Sequence, residues 1–131
     1  CLSTEYRTLW KHWKDHLFYA VAAAYKPDAA IPTSTCTPTN CLSINNGTDR
    51  FAAVVILSGP RLPGQIRTAP PVGADADTKQ DIHNYLEREN AANHPNASGN
   101  ASYRTGSAGA DFNDVLYCIR PDLSVVACPI S

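Results

Sequence analysis

The sequence predicts an α+β domain: an N-terminal helix packed on an antiparallel β-sheet of three to five strands, with long loops and disulfide bonds. Three observations predict it. Aromatic and apolar residues recur at helical steps near the N-terminus. A wholly apolar run, "FAAVVILS" (51–58), stands in mid-chain. The chain closes on "DVLYCIRPDLSVVACPIS", two short apolar runs around an Arg-Pro-Asp turn, each with a cysteine. At 131 residues the chain reads as one domain, 1–131. A chain of this size buries about two-thirds of its unfolded surface, enough for a modest core.

Residues 4 to 16, "TEYRTLWKHWKDH", read as the helix. Thr4 is a capping residue type and Glu5 suits the positive end of the helix dipole. Tyr6, Leu9, Trp10, Trp13 and Leu17 fall on one face at three- and four-residue steps, with Lys11, Lys14 and Asp15 opposite. For the following "LFYAVAAAY" local propensity favours more helix, up to Tyr25, while the aromatics and valine accept a strand. Residues 26–40, rich in Pro, Thr and Ser, read as an extended surface loop. "CLSI" is a short strand ended by Asn45-Asn46-Gly47. Because "FAAVVILS" is apolar throughout, it reads as a mid-sheet strand covered on both faces. Gly59-Pro60 ends it, and 59–76 form an irregular crossing. "DADTKQDIHNYLERENA" predicts a short helix over 78–89. Residues 91–110, small and polar without periodicity, read as a mobile loop. The closing hairpin supplies two more strands.

A net charge of −1 argues against a partner recognised through phosphates, so no nucleic acid is expected. Charged residues make up 18%, below the roughly 25% of average chains, as in many exported proteins. Five cysteines, none in a C-x-x-C pair, point to disulfides in an oxidising compartment rather than to zinc. The preferred pairs are Cys36 with Cys41 and Cys118 with Cys128. Connectivity does not follow from sequence alone, and Cys1 is open to a partner from either pair. In a tight two-residue hairpin Cys118 would face Val125, so a bond to Cys128 requires a wider loop or a bend after Val126. No apolar stretch is long enough for a membrane helix, and no signal peptide is visible. A lipid on Cys1 is a further option.

No motif for catalysis stands out. His12 and His16 have the spacing of two ligands on one helix face, beside Asp15, but the glutamate of H-E-x-x-H is missing. His83 and His94 have no obvious acidic partner. "LSGPR" lacks the G-x-S-x-G elbow. Asp75-x-Asp77 resembles the start of a calcium loop without its Gly and closing Glu. The other carboxylates, Asp81, Glu87, Glu89, Asp111 and Asp114, form no motif. "GPRLPGQIR" is phosphate-friendly in composition but lacks the P-loop lysine and reads as a surface turn. Asn46, Asn96 and Asn100 each open an N-x-Ser/Thr pattern. The expectation is a non-enzyme without catalytic, cofactor or metal residues.

Four segments, in this order, carry a resemblance: "WKDHLFYAVA", "FAAVVILSGP", "NYLERENA" and "DFNDVLYCI". Together they are similar to the globular part of prepilin-type proteins, the minor type IV pilins and type II secretion pseudopilins. The match is spread over roughly residues 10 to 120. Trp13 to Tyr19 correspond to a Trp-containing lead into an aromatic strand, Ser58-Gly59-Pro60 to a turn after the central strand, and Asn84 to Asn90 to a stretch preceding "DFND". The resemblance implies a strand over Leu17–Ala24 and a filament helix that this chain lacks. It further implies a structural or adhesive subunit, anchored in the inner membrane before assembly. Other pilin or pseudopilin subunits would be its partners through that helix, and its head would be exposed in the periplasm or on the cell surface, open to a host or surface ligand. The family's basic leader and apolar helix are not in this chain. The rival expectation is a secreted or lipid-anchored binding module, such as an inhibitor or ligand-recognition domain.

Overall fold

A computed structural model describes residues 4–27, 35–67, 81–95 and 98–130. The first helix, α1 (Thr4–Trp13), runs through a 3-10 turn at Lys14–His16 into strand β1 (Leu17–Val21). A 3-10 turn at Ala23–Tyr25 follows. Strand β2 (Ser43–Ile44) is very short, and β3 (Ala53–Leu57) is the central strand. After a 3-10 turn at Ile82–Asn84 come α2 (Arg88–Ala92), β4 (Ser102–Tyr103), β5 (Val115–Ile119) and β6 (Val125–Ala127).

The main sheet has four strands in the order β1-β3-β5-β6, every neighbour antiparallel. Strands β2 and β4 pair in parallel as a separate two-stranded piece. In the register of the main sheet Ala20 lies beside Val54, Val54 beside Cys118 and Cys118 beside Val126. Side chains alternate across a strand, so these four share one face with Phe18, Ile56 and Leu116. That inner face packs against Leu42, Ile44, Phe51, Leu86 and Tyr103 in one core cluster. Val54, Ile56 and Cys118 are wholly buried there.

The segment after α1 shows tertiary pairing overriding local preference. Ala22 to Ala24 favour a helix by themselves. Pairing Leu17–Val21 with β3 instead puts Phe18 and Ala20 on the core side, and Ala22 N–H still donates to Ala52 O at 2.8 Å.

Several expectations need correction. The central strand is not covered on both faces: Val54 and Ile56 are buried, whereas Ala53, Val55 and Leu57 are partly open. The outer face of the sheet is nevertheless apolar, with Tyr19, Val115, Tyr117 and Val125 all substantially exposed. Packing of α1 on the sheet is not shown among the described side chains, of which Tyr6, Trp10 and Trp13 are each more than half exposed. The helix expected over 78–89 is, within the described residues, a 3-10 turn and the separate α2, while 78–80 lie outside them. Nor does 91–110 behave as a loose loop where it is described. Tyr103 is fully buried and its hydroxyl donates to Asn93 O at 3.1 Å. Gly99 O accepts from Ala23 N–H at 2.8 Å. At Gly99 (φ +71°) a Cβ would lie 2.4 Å from Ala23 N, so only glycine permits that approach.

Two disulfides join Cys36 to Cys41 and Cys118 to Cys128. The second runs diagonally. The connection Arg120–Ser124 is five residues long, which sets Cys118 opposite Val126 and puts Cys128 two residues further along the same face. Arg120 N–H donates to Ser124 O and Leu123 N–H to Arg120 O, both at 2.9 Å. Cys1 lies outside the described residues.

Candidate functional site

Three polar stretches meet at the end of the sheet where α1 enters. They are Gln65 to Arg67, Asn84 to Asn90, and Asn113-Asp114 just before β5. Gln65, Asn84, Glu87, Asn90 and Asp114 are all buried. Burying such groups is costly unless each finds a partner, and here the partners are one another.

Glu87 and Asp114 form the centre. Gln65 Nε2 donates to Glu87 Oε1 at 2.7 Å, and Asn113 N–H donates to Glu87 Oε2 at 3.1 Å. Asp114 Oδ2 accepts from Glu87 N–H at 3.1 Å and from Asn90 Nδ2 at 2.9 Å. Asn90 also ties in the strand β4 region, accepting from Arg104 N–H at 2.7 Å and donating to Arg104 O at 3.0 Å. Asp114 Oδ1 is buried without a hydrogen-bond partner of standard geometry among the described residues. Burial pushes the Asp114 carboxyl up to about 7, against its bonds from Asn90 and the Glu87 backbone and with help from the neighbouring Glu87 carboxylate. Arg88, at φ +50°, turns outward to pair with Asp111. Its neighbours Glu87 and Asn90 both face inward.

Arg67 binds the stretches together. Its Nε donates to Asn84 O at 2.5 Å, Nη1 to Gly59 O at 2.7 Å, and Nη2 to Gln65 Oε1 at 2.8 Å. The guanidinium lies 5.3 Å from the centroid of the Tyr85 ring, within cation–π range. The Tyr85 ring also meets His16 edge-on, with centroids 5.7 Å apart. His16 Nδ1 and Ser58 Oγ are 2.9 Å apart, and Ser58 N–H donates to His16 O at 3.0 Å. Desolvation, then the charge of Arg67, lowers the His16 pKa. Gly59 is needed beside it, because a Cβ there would stand 2.4 Å from Asn113 Oδ1. The network therefore forms the socket from which α1 leaves the domain.

The arrangement ties three stretches of the chain to one another. Its carboxylates are turned inward onto donors, Asp114 Oδ1 alone among their four oxygens lacking a partner of standard geometry among the described residues, and neither described cavity is lined by Glu87 or Asp114. Among the described residues no three His, Cys, Asp or Glu side chains gather as a metal site. No described helix is long and apolar enough to cross a membrane.

The individual candidates from the sequence separate. His16 belongs to the socket, and the side chain of His12 lies outside the described residues. His83, which had no evident acidic partner, is 3.0 Å from Asp81 Oδ1 on the surface. His94 packs edge-on against Phe18 at 5.4 Å, and burial lowers its pKa. Asp75 and Asp77 lie outside the described residues. "GPRLPGQIR" is not simply a surface turn, since Gln65 is buried and Arg67 is spent on carbonyl groups. Asn46 and Asn100 are exposed. The socket's own residues were missed as a group. The available signal was the three-residue spacing of Asn84, Glu87 and Asn90.

Comparison with family models, curated proteins and solved structures yields no match.

Proposed function

We propose that the chain is the head domain of a minor type IV pilin or a type II secretion pseudopilin, a structural or adhesive subunit of an exported filament. One observation carries the reading. The four segments that bear the resemblance come together at the root of α1. Trp13 and His16 are in ring contact, His16 meets Ser58 and Tyr85, and Glu87 and Asn90 both bond Asp114. A filament subunit needs its head fixed rigidly at the exit point of its stem, and this is where the buried hydrogen bonds concentrate.

On this reading α1 continues upstream into an apolar helix that anchors the subunit in the inner membrane and later packs against other subunits. The head then stands in the periplasm or outside the cell, where disulfides persist. The test is the reading frame upstream of Cys1, followed by immunogold labelling of surface filaments. A short basic leader, an apolar helix with a glutamate near its start, and gold along filaments are expected. A cleavable secretory signal, or a start codon immediately before Cys1, overturns the proposal.

A further inference from the structure

We propose that the end of the sheet remote from α1 carries a binding pocket for a sugar acid, a small hydroxylated ligand bearing one carboxylate. A cavity of about 280 Å³ opens there, lined by Asp49, Arg50, Arg120, Pro121, Val126 and Pro129 among others. It is remote because Arg50 precedes β3 and Arg120 follows β5, whereas α1 joins the opposite ends of these antiparallel strands. The inference rests on the pocket alone and stands or falls independently of the filament reading.

The pocket is built rather than incidental. The Cys118–Cys128 bond holds the wall formed by Val126 and Pro129, one residue to either side of the Ala127-Cys128 pair. Tyr25 hydroxyl donates to Pro121 O at 3.5 Å from the other side. Arg50 Nη1 is fixed by Gly47 O at 2.7 Å and Asp49 O at 3.1 Å. A guanidinium fixed in this way loses little freedom on binding.

The lining selects the ligand class. Two guanidinium groups match a planar carboxylate. Asp49 on the wall offsets one of those two charges. That balance disfavours a phosphate dianion and leaves acceptors for ligand hydroxyls. Val126 and the two prolines offer the apolar surface that the C–H face of a sugar ring covers. A cavity just under the usual range for small-molecule sites fits one sugar residue.

The test is an ¹H–¹⁵N NMR titration of the oxidised 131-residue chain with sodium glucuronate, glucose and inorganic phosphate. Glucuronate is expected to shift Arg50, Phe51, Arg120 and Ala127 with millimolar affinity, and glucose and phosphate to leave them in place. Arg120→Ala is expected to weaken glucuronate about tenfold or more, and Arg120→Lys by less. Unchanged Val54 and Ile56 resonances in both variants establish that the fold is intact. The proposal is overturned if glucuronate shifts none of these residues, if glucose shifts them equally, if phosphate binds more tightly, or if Arg120→Ala binds glucuronate as the parent does.

Discussion

The two ends of the main sheet are secured by different means. Where α1 enters, the strands are held by buried polar side chains, Glu87, Asn90 and Asp114 with Gln65 and Arg67 around them. At the other end β5 and β6 are joined by a five-residue turn, and this hairpin is cross-linked along its length by the diagonal Cys118–Cys128 bond. Hydrogen bonds in a low-dielectric interior depend on position, and each buried group left unpaired costs about 1–3 kcal/mol. A disulfide instead acts chiefly on the unfolded chain. The polar end should therefore be specific and sensitive to pH, and the covalent end tolerant of both but sensitive to reductant.

The most damaging single change should fall at the polar end. Asn90→Ala removes three hydrogen bonds and leaves Asp114 and the Arg104 backbone short of partners. Chemical denaturation should show a loss of about 3–4 kcal/mol. A loss below about 1 kcal/mol would mean that the core alone holds that end. Next, Cys118→Ser with Cys128→Ser opens a loop of sequence separation 10, for which chain entropy predicts about 2.7 kcal/mol. Hydrogen exchange should then rise in β6 while Asn90 and Asp114 keep their protection. Loosening of both ends together would erase the contrast.

The smallest effect per measurement is the pH slope. The folded-state pKa of Asp114 is raised, from 3.8 to about 7. Between those values the folded chain binds more protons than the unfolded one, so stability falls as pH rises from about 4 to 7. The slope is at most about 1.4 kcal/mol per pH unit. His16 and His94, whose pKa values are lowered, act oppositely: their contribution is lost as pH falls below about 6.5. Comparing the parent with Asp114→Asn separates the two. If the variant keeps the downward slope, another group is responsible.

Legibility in the sequence followed the range of the interaction that decided each feature. Runs such as "AVVIL" and "VLYCI" identify themselves by β-branched and aromatic content, and both are strands in one sheet. The turn after Ile119 was visible in Pro121-Asp122, but not its five-residue length, because register depends on where β6 meets β5. The 78–89 helix failed for a related reason. Ile82, Tyr85 and Leu86 fit a helical period, but Asn84 and Glu87 have partners elsewhere, in Ile66 N–H and Asn113 N–H. Satisfying those buried groups interrupts the helix at Tyr85–Glu87. The socket itself joins residues 22 to 27 positions apart in the chain, beyond the reach of any local pattern.

By itself, the sequence determined an α+β domain, with a helix over its first aromatic stretch, apolar strands in mid-chain and at the end, and cysteines suited to an oxidising compartment. Such features rest on the period of side chains along the backbone and on composition, which are local. Only the tertiary structure decided which face of the sheet is buried, how the hairpin aligns Cys118 with Cys128, and that scattered polar residues converge beneath α1. Those outcomes depend on pairing groups far apart in the chain, and a buried polar atom declares its partner only once the fold has removed water from around it.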